Sequence, residues 1–267
     1  MTGVDRRGIT VPGGRLAVRL AGEGPALVLL HGFGGDGATW DGLLAELAGQ
    51  YRCIVPDLRG FGASRHAVEA PTGASGFSHA EDVLALLDAL GEARAVLAGV
   101  SLGGAVAIDT ALAAPDRVSG LVLISPGLSG WAWSAPWRAG WRAIAGLARG
   151  GDMAAAKALW WAQPLFDSLR DRPEAAAYTE GLARYSGREW VQDAQRPAPS
   201  AVNHLHALTM PVLLLSGGRD VADFADIAAH IAAHVPDGRW LRRDDLGHLL
   251  HLEDPAWVLA AMRARLA

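Results

Sequence analysis

Ala26–Leu30 (ALVLL) is an unbroken apolar run bounded by Gly24-Pro25 on one side and His31-Gly32 on the other. It is too short for a helix and closed by turn formers at both ends, so it reads as a strand buried on both faces. Comparable runs recur at Cys53–Val55, Ala95–Val100, Val118–Ile124 and Val212–Leu215. Between them the apolar positions change to a helical period, as in Leu43, Leu44 and Leu47, and again in Val83, Leu84, Leu87 and Leu90. A change from continuous to helical periodicity, repeated along the chain, predicts an α/β protein with a parallel sheet covered on both faces. The first residues follow another rule. Ile9–Val11 and Leu16–Leu20 flank Pro12-Gly13-Gly14, which predicts an antiparallel hairpin on one edge.

The rhythm stops after Ile124. From Pro126 to Leu208 the chain is rich in Trp, Ala, Gly and Pro and carries no strand pattern. A structureless loop of roughly 80 residues within a compact domain is improbable, so the segment is expected to be a helical insertion. Trp137–Ala148 and Met153–Trp161 carry helix formers, and Pro164, Pro173, Pro197 and Pro199 punctuate the remainder. After Pro211 the strand–helix order returns with Val212–Leu215, Ile227–Val235, Arg239–Arg242 and Ala256–Leu266. The last of these opens on Asp254 as N-cap with Pro255 at the first helical position. The expected division is a core of residues 1–125 and 209–267 and a helical cap of residues 126–208.

Composition narrows the class of function. With 267 residues, 51% hydrophobic and 19% charged, the chain can build one large core. Its net charge of −4 and scattered basic residues give no stripe for a phosphate backbone, so no nucleic-acid partner is expected. No apolar run approaches the ~18 residues a membrane span needs, and Met1–Gly14 has no charged-then-apolar leader, so a cytoplasmic location without membrane insertion is expected. The single cysteine, Cys53, lies within an apolar run and reads as a small buried hydrophobe.

Gly99-Val100-Ser101-Leu102-Gly103 follows one predicted strand and precedes a predicted helix, Gly104–Ala114. In that context G-x-S-x-G is a nucleophile elbow, and the serine is presented at the carboxyl edge of the sheet above a helix N-terminus. Ser101 is therefore the candidate nucleophile. A serine hydroxyl needs a base within reach and a group that holds the base in the right tautomer. Of nine histidines, His248 in Leu246-Gly247-His248-Leu249 lies on a loop at the same edge. His251 competes but falls at the start of the final helix, and His204, His206, His230 and His234 fall on cap or helix positions. Asp220 closes Ser216-Gly217-Gly218-Arg219-Asp220 after the strand Val212–Leu215, whereas Asp223 and Asp226 enter the following helix, where an acid complements the dipole. The chain order Ser101, Asp220, His248 is the order this architecture requires. His31-Gly32-Phe33-Gly34-Gly35 follows the strand Ala26–Leu30, so the backbone N–H groups of Phe33 and Leu102 are the candidate oxyanion donors, with the Phe33 ring lining the pocket. The same loop read blandly is a plain strand-end turn.

These motifs, together with Asp57-Leu58-Arg59-Gly60-Phe61-Gly62-Ala63-Ser64, stand in the order in which the α/β-hydrolase family carries them, and the chain resembles that family over nearly its whole length. The resemblance implies the α/β-hydrolase fold: a mostly parallel eight-stranded sheet, a helical cap after the sixth strand, the triad just named and no required cofactor or metal. It also implies that Asp57–Ser64 shapes a loop beside the pocket. Haloalkane dehalogenases and epoxide hydrolases carry aspartate at the position of Ser101, and C–C hydrolases of ring-fission products usually have tryptophan where Leu249 stands. The pattern is closer to small-molecule esterases and enol-lactonases. Seven of the ten tryptophans fall in the insertion, and Trp131, Trp133, Trp160 and Trp161 are the expected pocket walls, suited to an apolar or aromatic ligand. The expected activity is acyl-enzyme hydrolysis of a small carboxylic ester or lactone by a monomer or homodimer. Hydrolysis of a vinylogous diketone and ligand sensing with little turnover are the alternatives.

Overall fold

The computed structural model describes residues 3–66 and 76–266. In chain order its elements are β1 (Asp5–Val11), β2 (Gly14–Ala21), β3 (Ala26–Leu30), α1 (Asp41–Leu47), β4 (Arg52–Pro56), β5 (Arg65–His66), α2 (His79–Leu90), β6 (Ala95–Val100), α3 (Leu102–Ala113) and β7 (Val118–Ile124). Four helices follow, α4 (Ala135–Arg149), α5 (Met153–Trp161), α6 (Ala175–Arg184) and α7 (Arg188–Val191). The chain then returns to the sheet through β8 (Val212–Gly217), α8 (Ala222–His234), β9 (Gly238–Arg243), α9 (Leu250–Glu253) and α10 (Pro255–Leu266).

The strands form one sheet in the order β1-β2-β4-β3-β6-β7-β8-β9, with β5 paired to β2 beside that path. Every pair from β4 to β9 is parallel; β1, β2 and β5 are joined by antiparallel pairings. The expected count of eight strands is therefore corrected to nine among the described residues, and the helical insertion follows the seventh strand in chain order. The extra strand is two residues long and carries no alternation of its own; it is set by pairing Arg65 with Arg15 and His66 with Gly14. The hairpin at the edge is as the Pro12-Gly13-Gly14 turn predicts, with Gly13 in the left-handed region at φ 72°.

The continuous apolar runs form the middle of the sheet. β3 and β8 are buried at every position, and β6 and β7 at all but one, so both faces are covered. α1 packs against α10 and α2 against α3. Cys53 is fully buried, and burial alone pushes its thiol up to about 12. α10 starts as its sequence predicts, with Asp254 Oδ1 accepting from the Trp257 N–H at 2.9 Å. Among the described residues no helix is long and apolar enough to cross a membrane.

The Asp57–Ser64 loop is held by its own polar groups. Asp57 Oδ1 and Oδ2 accept from the N–H groups of Gly37 and Ala63 at 2.9 and 2.8 Å. Arg59 forms a buried ion pair with Asp82 of α2 and donates to the carbonyls of Pro12 and Gly13. The loop thus joins the hairpin, α2 and the segment after β3.

Candidate active site

The site is built where β3, β6, β8 and β9 end. β6 gives way to α3 across a single residue, Ser101, held at φ 54° and ψ −114°. Such a backbone costs a non-glycine residue on the order of 1–3 kcal/mol and persists only where its surroundings impose it. Those surroundings are strand and helix pressed together. A Cβ on Gly99 would meet the Gly104 nitrogen at 2.6 Å, and one on Gly103 would meet the Leu30 carbonyl carbon at 2.6 Å. Side chains two residues before and after the serine are thereby excluded. The Ser101 N–H donates to the Ile124 carbonyl at 3.0 Å, which ties the turn to β7.

Asp220 and His248 meet because the loops after β8 and β9 are bonded to each other. The Gly218 N–H donates to the Arg243 carbonyl at 2.7 Å, and the Arg219 N–H to the Leu246 carbonyl at 2.9 Å. This brings His248 Nδ1 to 2.8 Å from Asp220 Oδ2, with the two side chains 1% and 2% exposed. From the other side Glu253 Oε2 accepts from the Gly247 N–H at 2.8 Å. With Nδ1 donating to the carboxylate, Nε2 carries the lone pair; it is buried and has no hydrogen-bond partner among the described residues. No hydrogen bond joins Nε2 to the Ser101 hydroxyl in this structure. The Phe224 ring, 4.3 Å from the His248 ring, lines the same cavity as Ser101. His251 does not meet Asp220. It is 1% exposed, packs on Trp40 with ring centroids 4.9 Å apart, and is pushed down to about 3, first by burial and then by His248.

The loop after β3 lies against the nucleophile, and a Cβ on Gly32 would be 3.4 Å from the Ser101 Cβ. His31 braces this loop. Its Nε2 accepts from the Leu58 N–H at 2.9 Å, so Nδ1 carries the proton and donates to the Gly32 carbonyl at 2.8 Å. Burial lowers the His31 pKa, in keeping with that neutral tautomer. Among the described residues neither the Phe33 nor the Leu102 N–H donates to a protein acceptor. The Phe33 ring is caged by Trp141, Phe61, Trp160 and Tyr185, at centroid distances of 5.0, 5.2, 5.5 and 5.5 Å.

Above Ser101 is a cavity of about 580 Å³. Of the residues named from the sequence, Phe33, Trp133 and Trp160 line it and Trp131 and Trp161 do not; Trp137 and Trp141 line it as well. Trp131 precedes α4 and packs on His230 at 5.6 Å. Trp161 is one residue beyond Trp160 on α5, so its ring points about 100° away, onto Phe166 and Tyr178. Trp137 and Trp141 are one helical turn apart, a spacing that marks them as one face, whereas Phe224 had no local signal beyond following Asp220 into α8. Arg138 and Arg142, also on α4, stand exposed at the rim. Asp223 has a role the sequence reading missed. It is buried and accepts from both the N–H and the hydroxyl of Ser134 at 2.7 Å, binding the start of α4 to α8. Asp226 is exposed. A second groove, of about 1090 Å³, runs along the hairpin and α6 past Arg6, Arg15 and Arg184, and holds none of the candidate triad. No group of three or more His, Cys, Asp or Glu placed to hold a metal ion occurs among the described residues.

The family described as alpha/beta hydrolase fold matches residues 25–255, and the chain belongs to it. The solved structure of a thermophilic esterase from Thermogutta terrifontis superposes with a TM-score of 0.82 at 28% identity, covering 98% of each chain. Est816, described as an N-acyl homoserine lactone degrading enzyme, superposes with a TM-score of 0.74 at 26% identity over 97% of this chain and 99% of that one. The dihydrolipoyllysine-residue acetyltransferase component of the acetoin cleaving system of Pseudomonas putida is 35% identical over 94% of this chain and 67% of its own. An uncharacterized protein of Mycobacterium tuberculosis is 41% identical over 44% of this chain, a match that spans about a third of that protein's length, 34%. The chain is an α/β-hydrolase-fold enzyme related to carboxylesterases and lactonases.

Proposed function

We propose that the protein hydrolyses a small, apolar or aromatic carboxylic ester or lactone through an acyl-enzyme formed on Ser101. The observation that carries this reading is the buried 2.8 Å contact between His248 Nδ1 and Asp220, which leaves Nε2 unpaired at the sheet edge where Ser101 is held in its strained turn. In the proposed reaction Ser101 Oγ attacks the carbonyl carbon while its proton passes to His248 Nε2. The oxyanion so formed accepts from the N–H groups of Phe33 and Leu102, a contribution of several kcal/mol per well-aimed donor. His248 returns its proton to the leaving alkoxide, or to the ring-opened alcohol of a lactone. It then takes a proton from water, which attacks the acyl carbon, and finally restores the serine hydroxyl. Asp220 holds the imidazole and offsets its charge.

The insertion between β7 and β8 is proposed as the substrate-selecting cap, residues 126–208, over a core of residues 1–125 and 209–267. Trp133, Trp137, Trp141 and Trp160 give the acyl or alcohol group an aromatic enclosure. Similarity to the Thermogutta esterase and to Est816 supports esters and lactones as the class to test. The test is labelling by a fluorophosphonate, expected for the native protein and absent in Ser101→Ala, followed by specificity constants over esters and lactones of graded size. A native protein that resists labelling overturns the assignment.

A further inference from the structure

Tyr178 on α6 places its hydroxyl 2.8 Å from the main-chain carbonyl of Phe33, and Trp160 on α5 places its indole Nε1 2.7 Å from the same hydroxyl. The direction of both bonds is fixed by chemistry. An indole N–H can only donate and a carbonyl can only accept, so the chain runs from Trp160 N–H to the Tyr178 oxygen and from the Tyr178 O–H to the Phe33 carbonyl. Both side chains are buried, at 4% and 2% exposure. Burial, only partly offset by the Trp160 N–H, also raises the phenol's pKa, so it stays protonated and the relay does not reverse.

The loop is shaped to admit this hydroxyl. Gly34 sits at φ 78°, and a Cβ there would lie 2.9 Å from the Tyr178 oxygen and 3.2 Å from Trp160 Nε1. α6 holds the loop a second time, where Arg184 Nη2 binds Asp36 Oδ2 at 2.7 Å. The Phe33 N–H shares a peptide plane with the Gly32 carbonyl, which His31 holds, and the Phe33 carbonyl lies in the next plane; φ and ψ of Phe33 relate the two planes and the ring, so holding the carbonyl and the ring restrains the N–H from the other side. The aromatic cage fixes the ring and Tyr178 fixes the carbonyl.

We infer that Trp160 and Tyr178 are positioning residues for the oxyanion hole, through which the helical insertion, and not the core alone, aims the Phe33 N–H at the reacting carbonyl oxygen. This rests on the proposed role of Phe33 as an oxyanion donor. Because Trp160 also walls the cavity, contact of a ligand with its ring and alignment of the loop are linked in one side chain.

Tyr178→Phe removes the hydroxyl and leaves the ring. Its kcat is expected to fall about ten- to a hundredfold with KM within about twofold, the pattern of an interaction made only in the transition state. The affinity of a trifluoromethyl ketone, which forms a serine hemiketal with an oxyanion, should fall in the same proportion, while the affinity of the carboxylate product stays constant. Trp160→Phe removes the indole donor and also trims a wall of the cavity, so KM is expected to shift, but its ketone-to-product affinity ratio should still fall, by less than that of Tyr178→Phe, and this ratio serves if Tyr178→Phe does not fold. Lys157→Met cuts the Lys157 Nζ bond to the Ala183 carbonyl, a link between α5 and α6 away from the loop, and should lower Tm without changing the ketone-to-product affinity ratio. If the tyrosine and tryptophan variants behave like Lys157→Met, or lose KM alone, the relay is overturned. If the native protein neither takes a fluorophosphonate nor binds the ketone, the serine mechanism fails and the relay with it. A native protein that binds the ketone no better than Tyr178→Phe does overturns the relay alone.

Discussion

Asp220 and His248 lie 28 positions apart and share a 2.8 Å hydrogen bond in the interior of the protein. The bond selects the tautomer in which Nε2 is an acceptor, and the amide of an asparagine would donate to Nδ1 and select the opposite one. Asp220→Asn is therefore expected to fold and to lose kcat on the order of 10³–10⁴-fold, the loss a wrong tautomer produces in a serine triad. Steady-state kinetics with an activated ester, alongside circular dichroism, checks this. Near-native turnover would mean another acid orients the base.

Asp223 and Ser134 make a second long-range pair with a different purpose. Asp223→Ala strips acceptors from both the Ser134 N–H and its hydroxyl at the start of α4, a helix that contributes Trp137 and Trp141 to the cavity. Stability should fall by about 1–3 kcal/mol, the range for leaving buried polar groups unpaired. KM for a bulky aromatic ester should rise more than kcat falls. A urea titration and the kinetic split read the two effects separately, and unchanged values of both would remove Asp223 as a strap.

How much of this was legible follows the range of the interactions. Ala95–Val100 and Val118–Ile124 are strands at the expected residues because a short apolar run between turn formers has no other stable use. Ser101, Asp220 and His248 could be chosen because each follows a strand, and strand ends of a parallel sheet share one edge. β5 was not legible, since two residues carry no period. Trp161 was misplaced as a pocket wall because composition counts tryptophans and cannot tell a residue from its neighbour 100° around the helix. Tyr178 carried no signal at all: its partner, Phe33, is 145 residues away.

Trp141 separates a wall of the pocket from the glue of the insertion. Its ring packs edge-on to Phe33 at 5.0 Å and to Trp160 at 5.9 Å, and it faces the cavity. Trp141→Ala should widen the enclosure, shift the ratio of kcat/KM toward longer or branched acyl groups, and cost stability of about 3 kcal/mol or less, since the site is only partly buried. A panel of p-nitrophenyl esters graded by acyl size measures the ratio. An unchanged order of preference would assign selectivity to other walls.

Cys53 is fully buried in β4, with its thiol pushed up to about 12 by desolvation. The native protein should therefore resist a disulfide reagent such as DTNB at mildly alkaline pH and release one equivalent of thiolate after unfolding in urea. Rapid reaction of the native protein would show that β4 opens locally.

Buried histidines give the stability a pH dependence of definite sign. His79 and His251 are each pushed down to about 3, in both cases first by burial. Folded, each stays neutral down to that value; unfolded, each takes a proton near the ordinary 6.5. Between the two the unfolded chain binds more protons, so their contribution is complete above pH 6.5 and is lost as the pH falls toward 3. Asp109, pushed up to about 6 chiefly by burial against a single Ser129 hydrogen bond, acts in the opposite direction: its contribution is present at low pH and lost as the pH rises through 6. The net slope thus mixes signs, and a difference isolates one group. His251→Phe keeps a ring against Trp40 and removes the titration while leaving Asp109 and His79 unchanged. Between about pH 4 and 6 its unfolding free energy should fall less steeply than that of the native protein, by up to about 1.4 kcal/mol per pH unit. Urea titrations of both proteins across that interval give the two slopes, and parallel slopes would show that His251 is hydrated or paired in the folded state.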